Sequence, residues 1–512
     1  MNCPGSARLA PLLVMLLLCL FSGCGATPSE PEASPVPPSG EPSAQGESPD
    51  PSPLPSPPAL PVLPVLYPAE DAERVGGVRL TGSGALEGFE NDGDMCVFTV
   101  GVPQPGFYDL IFRSLSIGGY KENVVLVNGE QVGLLVTDSP ELDDSVLPRV
   151  YMEAGEHTVG LLKYWGWIRL ESLTVSPSPV LDASIYDVSA RLSNTNAGDG
   201  AKRLMSYLAD HYGKVILAGQ QSDGGLFGSE SAAIHSQTGK YPAVIGLDLM
   251  GYSPSRAERG DTRISVEPAI EAWENGAIVT LCWHWNAPTK YLVDEGDWLW
   301  WRGFYTQAVR GLDLAAIMDG RDAEGLELLI SDIDAIAVQL KRLQDAGVPA
   351  LWRPLHEASG GWFWWGASGP DAYIKLWNLM YERLTEAHGL NNLIWVWNGQ
   401  HADWYPGGET VDLIGEDIYP GERVYTSQAA KFLEAAAYTS PPKMAVLSES
   451  GFLPDPDLCM RDGAMWGFAI PWTGEFVSER YIEKEMLLHF YHHDLVVTLD
   501  ELPDLTAYPI RD

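Results

Sequence analysis

From position 185 onward the chain alternates short apolar runs with amphipathic stretches. The runs are 215–217, 243–246, 278–281, 350–352, 393–397, 413–415, 444–447 and 466–470. Between them, Leu329, Ile333, Ile336, Leu340 and Leu343 recur at helical spacing, as do Tyr373, Leu376, Trp377, Met380 and Leu384. Eight strand–helix units over roughly 320 residues predict a (β/α)8 TIM barrel for 185–512. A doubly wound parallel sheet is the alternative. In a barrel the chemistry gathers at the C-terminal ends of the strands.

Upstream, over 67–177, the period shortens to two. Strands are expected at 94–100, 107–112, 124–127 and 157–162, bounded by Gly and Pro, with a hairpin turn at Asn128-Gly129. This predicts an all-β, jelly-roll-like sandwich. Residues 25–66 are mostly Pro, Ser, Glu, Gly and Ala, the composition of an extended linker. Residues 1–24 form a targeting segment: one early cation, Arg8, then an apolar run from Leu9 to Leu20 too short to span a bilayer comfortably. Leu20-Phe21-Ser22-Gly23-Cys24 resembles a bacterial lipoprotein cleavage box with Cys24 as the lipidated residue. Phe21 is unusual there, so an ordinary signal-peptidase cut is the alternative. A lipid at Cys24 would tether the secreted chain to the outer face of the cell membrane, its one membrane attachment.

A formal net charge of −37 argues against nucleic acid and anionic membrane surfaces but does not oppose a neutral polysaccharide. The 18 tryptophans cluster rather than scatter, which suits sugar-stacking surfaces as well as cores. Cys96, Cys282 and Cys459 follow no disulfide or zinc spacing and read as buried small hydrophobes. A monomer is expected.

The expected strand ends carry polar and aromatic residues. They are Trp283-His284-Trp285-Asn286, Arg353 to Glu357, Trp397-Asn398, Glu416 to Tyr419, Ser448 to Gly451, and Pro471-Trp472. Glu357 follows the fourth strand and Glu449 ends the seventh, which face each other across a barrel mouth. Two carboxyls in different states, one protonated and one ionised, are what glycosidic cleavage needs. Indoles next to Glu357 would desolvate it and raise its pKa, while donors such as Tyr419 or Arg353 would steady Glu449.

The C-terminal part resembles glycoside hydrolase family 26. The resemblance rests on Trp352-Arg353-Pro354-Leu355-His356-Glu357, Gly360-Gly361-Trp362-Phe363-Trp364-Trp365, Trp404-Tyr405-Pro406-Gly407, Val411-Asp412, Gly415 to Pro420 and Ser448 to Gly451. It implies an endo-β-1,4-mannanase acting by retaining double displacement, with no cofactor. Glu357 would be the acid/base and Glu449 the nucleophile. His284, Arg353, His356, Trp362, Tyr419 and Trp472 would bind substrate. Thr473 stands where some relatives carry Arg, which affects the distal subsites. Residues 67–177 resemble a carbohydrate-binding module of family 35, through Ala69 to Ala72, Tyr120 to Asn123 and Trp165 to Glu171. That implies a glycan platform of Tyr120, Asn123, Trp165 and Trp167, and a structural Ca2+ between Glu70 and Glu171. The alternatives are a relative cutting mixed-linkage β-glucan or β-1,3-xylan, or a non-catalytic surface glycan-binding lipoprotein.

Overall fold

The structure is a computed structural model that describes residues 62–511. The signal segment, Cys24 and the linker up to 61 lie outside the described residues.

The N-terminal module is a sandwich of two antiparallel sheets. One runs Arg79–Leu80, Leu86–Glu87, Ile168–Pro177, Gly106–Ser116 and Asp143–Met152, with Val65–Pro68 paired to Ile168–Pro177. The other runs Glu73–Val75, Met95–Val102, Gly155–Lys163, Lys121–Val127 and Glu130–Thr137. The period-two pattern does the work expected of it: Cys96, Phe98, Val100 and Val102 face the core, and their neighbours do not. The first strand begins at Val65, inside the stretch read as linker, because Val65-Leu66-Tyr67 finds partners in Val175, Thr174 and Leu173.

The C-terminal domain is a closed parallel barrel. Its strands are β1 (Ile216–Gln221), β2 (Val244–Asp248), β3 (Ile278–Trp283), β4 (Ala350–Pro354), β5 (Leu393–Trp397), β6 (Leu413–Ile418), β7 (Met444–Ser450) and β8 (Phe468–Pro471). Each pairs with the next, and β8 returns to β1 through Leu217 and Phe468. The main helices are α1 (Asp199–His211), α2 (Ser229–Thr238), α3 (Val266–Glu274), α4 (Ala323–Asp345), α5 (Pro370–Glu382), α6 (Ala429–Ala437), α7 (Pro456–Asp462) and α8 (Lys484–Tyr491). Strands covered on both faces read as continuous apolar runs, which is why the eight were visible in the sequence. Helix α4 starts at Asp322, whose side chain accepts from Gly325 N–H at 2.9 Å, and buries Leu329, Ile333, Ile336, Leu340 and Leu343. One unit departs from the ideal: a single 3-10 turn, Ala402–Trp404, replaces the helix between β5 and β6. The segment is broken by Gly399, Pro406, Gly407 and Gly408. The thiols of Cys96, Cys282 and Cys459 are free and buried.

Module and barrel share an extended contact. Ala430 of α6 packs on the module core. Arg149 donates to the Asp462 carbonyl at 3.2 Å, and the Arg461 guanidinium lies 4.8 Å over the Tyr151 ring.

Beneath α6, Glu416 is fully buried and neither carboxyl oxygen makes a hydrogen bond. Burial pushes its pKa up to about 8. A raised folded-state pKa means the carboxyl favours folding below its ordinary pKa of 4.5, and that support is lost as pH rises through about 8. Glu416→Gln removes the loss. The variant is expected to be more stable than the parent at pH 9, by on the order of a few kcal/mol, with the gap closing toward pH 5. Thermal unfolding measured across that range checks this; equal melting curves at pH 9 would contradict it.

Candidate active site

Strand β4 delivers Arg353 into the barrel and then breaks. Leu355 and Glu357 both adopt left-handed backbone, each with φ of 53°. Non-glycine residues pay for that conformation, and surrounding contacts must hold it. Here they do: Glu357 N–H donates to the Asn398 carbonyl at 2.7 Å and to Asn398 Oδ1 at 3.0 Å. The Trp365 indole N–H ties the His356 carbonyl at 2.8 Å, and that of Trp364 ties the Trp285 carbonyl at 2.7 Å. The indole of Trp362 donates to Glu357 Oε2 at 2.8 Å. Gly360 sits against that ring so closely that a Cβ there would overlap it.

Strand β7 presents Glu449, which accepts one donor on each oxygen. Tyr419 O–H reaches Oε1 at 2.5 Å and Arg353 reaches Oε2 at 2.6 Å. The same guanidinium reaches Asp417 Oδ2, also at 2.6 Å. Ser448 donates to the other Asp417 oxygen at 2.8 Å. Oxygens of Glu357, Asp417 and Glu449 all lie within 4.8 Å of one another. A single guanidinium therefore faces three carboxyls.

The protons follow from that arrangement. Burial, then the charges of Glu449 and Asp417, raises the Glu357 pKa well above the carboxylate range, against the smaller pulls of Trp362 and Arg353. Burial also lifts Asp417, to about 7, opposed by Arg353. Burial works against the charged form of Arg353, yet Asp417 and Glu449 raise its pKa and keep it cationic. The site thus sets a proton-holding carboxyl beside one fixed as an acceptor, as cleavage of an acetal by acid and nucleophile requires.

A second chain of contacts lines the opposite wall. His284 Nδ1 lies 2.7 Å from Asp248 Oδ2, and its Nε2 lies 3.3 Å from Nε2 of His356. Burial, Arg353 and His284 drive the His356 pKa well down, so that ring is neutral. One hydrogen bond joins the two Nε2 atoms, extending the chain from Asp248 through His284 to His356. Phe304, Phe363 and Trp472 surround His284.

Of the expected residues, Glu357, Glu449, His284, Trp362, Tyr419 and Trp472 gather at this rim. Two expected sugar contacts are corrected. Arg353 is 1% exposed and spends its guanidinium on the two carboxylates; His356 is fully buried. Trp364 and Trp365 are buried pillars, leaving Trp362 as the open indole of that cluster. Asp248 and Asn398 were not singled out as site residues. Asp248 closes β2, so reading that strand's C-terminal end as the others were read would have found it.

On the module, Tyr120 packs edge-on against Trp165, which stacks with Tyr164; Tyr120, Tyr164 and Trp167 are exposed. Tyr164 joins the expected aromatics. Asn123 does not: it is fully buried, and its Oδ1 accepts from Tyr164 and Gly166 N–H, shaping the turn that carries the rings. Glu70 is exposed and Glu171 half-buried. Neither belongs to a group of three His, Cys, Asp or Glu with converging ligand atoms among the described residues. Two acidic side chains would supply only part of the six to eight oxygens a Ca2+ takes, and backbone carbonyls or water would have to supply the rest.

The chain resembles known proteins along most of its length. Residues 193–501 match the model of glycosyl hydrolase family 26, and residues 70–178 match that of carbohydrate binding module family 35. A mannan endo-1,4-beta-mannosidase of Thermothelomyces thermophilus is 39% identical over 507 residues, 97% of this chain and 98% of the relative. Mannan endo-1,4-beta-mannosidase B of Piromyces sp. is 35% identical, covering 83% of this chain and 74% of the relative. Among solved structures, the Podospora anserina GH26-CBM35 beta-(1,4)-mannanase is 40% identical with a TM-score of 0.63, covering 87% of this chain and 99% of that one. With a family model over more than half its length and a relative this similar along almost all of it, the chain belongs to glycosyl hydrolase family 26.

Proposed function

We propose that the chain is an endo-acting mannanase, hydrolysing β-1,4-mannosidic bonds with retention of configuration. One observation carries the mechanism: an oxygen of Glu357 lies within 4.8 Å of an oxygen of Glu449. Carboxyls about 5 Å apart leave no room for a water between carboxylate and sugar, so the carboxylate itself attacks. Glu449 forms the bond to the anomeric carbon. Glu357, proton-bearing, protonates the departing glycosidic oxygen. Glu357, now a base, takes a proton from the water that releases the sugar from Glu449. Two carboxyls and water balance the reaction, and no cofactor enters. Mannan as substrate is supported by the names of the relatives, all mannan endo-1,4-beta-mannosidases where similarity spans most of the chain. Trp362 and Trp472 offer the apolar faces on which a pyranose ring stacks. A purely binding barrel would have no use for the paired carboxyls. Residues 1–24 and Cys24 would export the chain and anchor it, acting as a monomer.

Glu357→Ala and Glu449→Ala are each expected to cut hydrolysis of glucomannan by about 10²- to 10⁴-fold or more. Glu357→Ala leaves thermal unfolding near the parent's, while Glu449→Ala, which takes a partner from buried Arg353, lowers it without abolishing the fold. The first product, followed by NMR, is expected as the β-anomer. Full activity in either variant, or an α-anomer first, would overturn the assignment; release from lichenan or xylan but not mannan would redirect it.

The alkaline limb of kcat/KM reports the proton on Glu357. The Trp362 indole stabilises the ionised form, so Trp362→Phe is expected to move that limb to higher pH, alongside a rise in KM from the lost stacking surface. A limb moving down would contradict the role of Trp362.

For the module, we propose that Tyr120, Tyr164, Trp165 and Trp167 form the glycan platform. In a Glu357→Ala/Glu449→Ala chain, which cannot cut, Trp165→Ala and Trp167→Ala are expected to weaken retention in mannan affinity gels roughly 2- to 10-fold. Unchanged migration would count against the platform.

A further inference from the structure

The loop between β6 and α6, residues 419–428, begins with Tyr419 and ends at Gln428, which takes left-handed backbone with φ of 56°. The module holds this loop directly near its start and through Asp462 of α7 at its end. Near its start, Gln131 of the module donates to the Pro420 carbonyl at 3.3 Å, one residue from Tyr419. At its end, Ser427 O–H donates to Asp462, whose carbonyl receives Arg149. The adjoining Ala430 packs into the module core. Between these points Arg423 ties the loop's middle to Glu479 and Glu483 of the barrel itself.

Arg149 is prepared for this contact. It sits at a bulge, where pairing slips between Tyr108↔Val150 and Leu110↔Leu147. Its φ is 57°, a costly conformation for arginine. The strained N–H is satisfied by Asp109 Oδ1 at 3.0 Å, and the guanidinium lies 4.2 Å over the Phe107 ring. Bulges re-aim side chains and are kept for that purpose. This one aims a cation at the carbonyl end of α7, where the helix dipole is negative.

We propose that the module is a positioning element of the catalytic site: Gln131 and Arg149 hold the loop that sets Tyr419 against Glu449. Tyr419 is 38% exposed; the pairing of Ile418 with Ser450 sets its start, and its ring leans on Phe476 at 5.2 Å and lies against Gly451. The hydrogen bond to Glu449 requires the hydroxyl to be held to a few tenths of an ångström. A loop anchored at Pro420 and Ser427 meets that demand better than one free to move. Gln131 and Arg149 touch no reacting atom and act through Tyr419, so the inference rests on the role of Glu449 proposed above.

The test is a double-mutant cycle in the full chain, with glucomannan hydrolysis as readout. Gln131→Ala and Arg149→Ala are each expected to lower kcat on the order of 2- to 30-fold with little change in KM. In a Tyr419→Phe background, where the contact to Glu449 is already gone, neither should lower kcat further. Equal losses in both backgrounds would overturn the proposal in favour of general destabilisation, and so would no loss in the parent. If Tyr419→Phe itself leaves kcat unchanged, the fault lies with the role of Tyr419 at Glu449. If Tyr419→Phe is slow while Gln131→Ala and Arg149→Ala are as fast as the parent, the module's role alone fails.

Discussion

Everything at the barrel mouth depends on one guanidinium. Arg353 is buried, yet it remains charged because Asp417 and Glu449 each bind it at 2.6 Å. Burying a cation is costly unless its partners are close and well oriented, and breaking such a pair leaves an uncompensated charge inside. Arg353 cannot neutralise three carboxyls. Glu357, the one it does not touch, is left to resolve its repulsion from the other two by keeping its proton. Burial raises Glu357 most and the two neighbouring carboxylates add to it, so the carboxyl without a guanidinium partner keeps its proton. The indoles around Glu357 contribute chiefly by excluding water.

That arrangement needs Glu357 held where repulsion would otherwise move it. Leu355 and Glu357 accept left-handed backbone to turn β4 sharply, and the cost is met by Asn398 on one side and by Trp364 and Trp365 beneath. The paired indoles are structural members whose N–H groups fix backbone carbonyls of β3 and β4 loops. Gly360 completes the fit, since only a residue without a side chain lets Trp362 lie against the turn and reach Glu357. Strain, packing and chemistry thus meet between Leu355 and Trp365, which is why that stretch stands out so strongly as sequence.

What was legible follows from the range of the forces involved. Strand positions, the two-layer module and the pairing of Glu357 with Glu449 come from periodicity and strand order, which are local or follow from barrel symmetry. Burial of individual side chains does not. Arg353 beside sugar-binding motifs reads as a substrate contact until its partners, 64 and 96 positions away, are brought to it. Trp364 and Trp365 look like platforms until the β3 loop closes over them. Asn123, next to Tyr120, reads as a glycan donor, yet its oxygen is consumed by a turn 41 residues on. The indoles and Asn123 serve backbone groups and Arg353 serves two carboxylates, since polar groups near a site are claimed first by the fold's own buried partners. The missing helix after β5 was equally hidden, because a strand count does not report what lies between strands.

The contact between module and barrel changes how the module should be understood. A binding domain on a flexible tether raises local substrate concentration and is indifferent to its own orientation. Here the connection after Pro177 is itself tied to the barrel, Tyr186 O–H donating to the Gly463 carbonyl at 2.7 Å, and the two bodies meet through a strained arginine, a shared apolar patch around Ala430 and a hydrogen bond to the Tyr419 loop. Such a contact fixes the direction in which the rings of Tyr164, Trp165 and Trp167 face relative to the cleft. Orientation of that kind is costly to build, and the left-handed backbone at Arg149 is the part of that cost still visible in the structure.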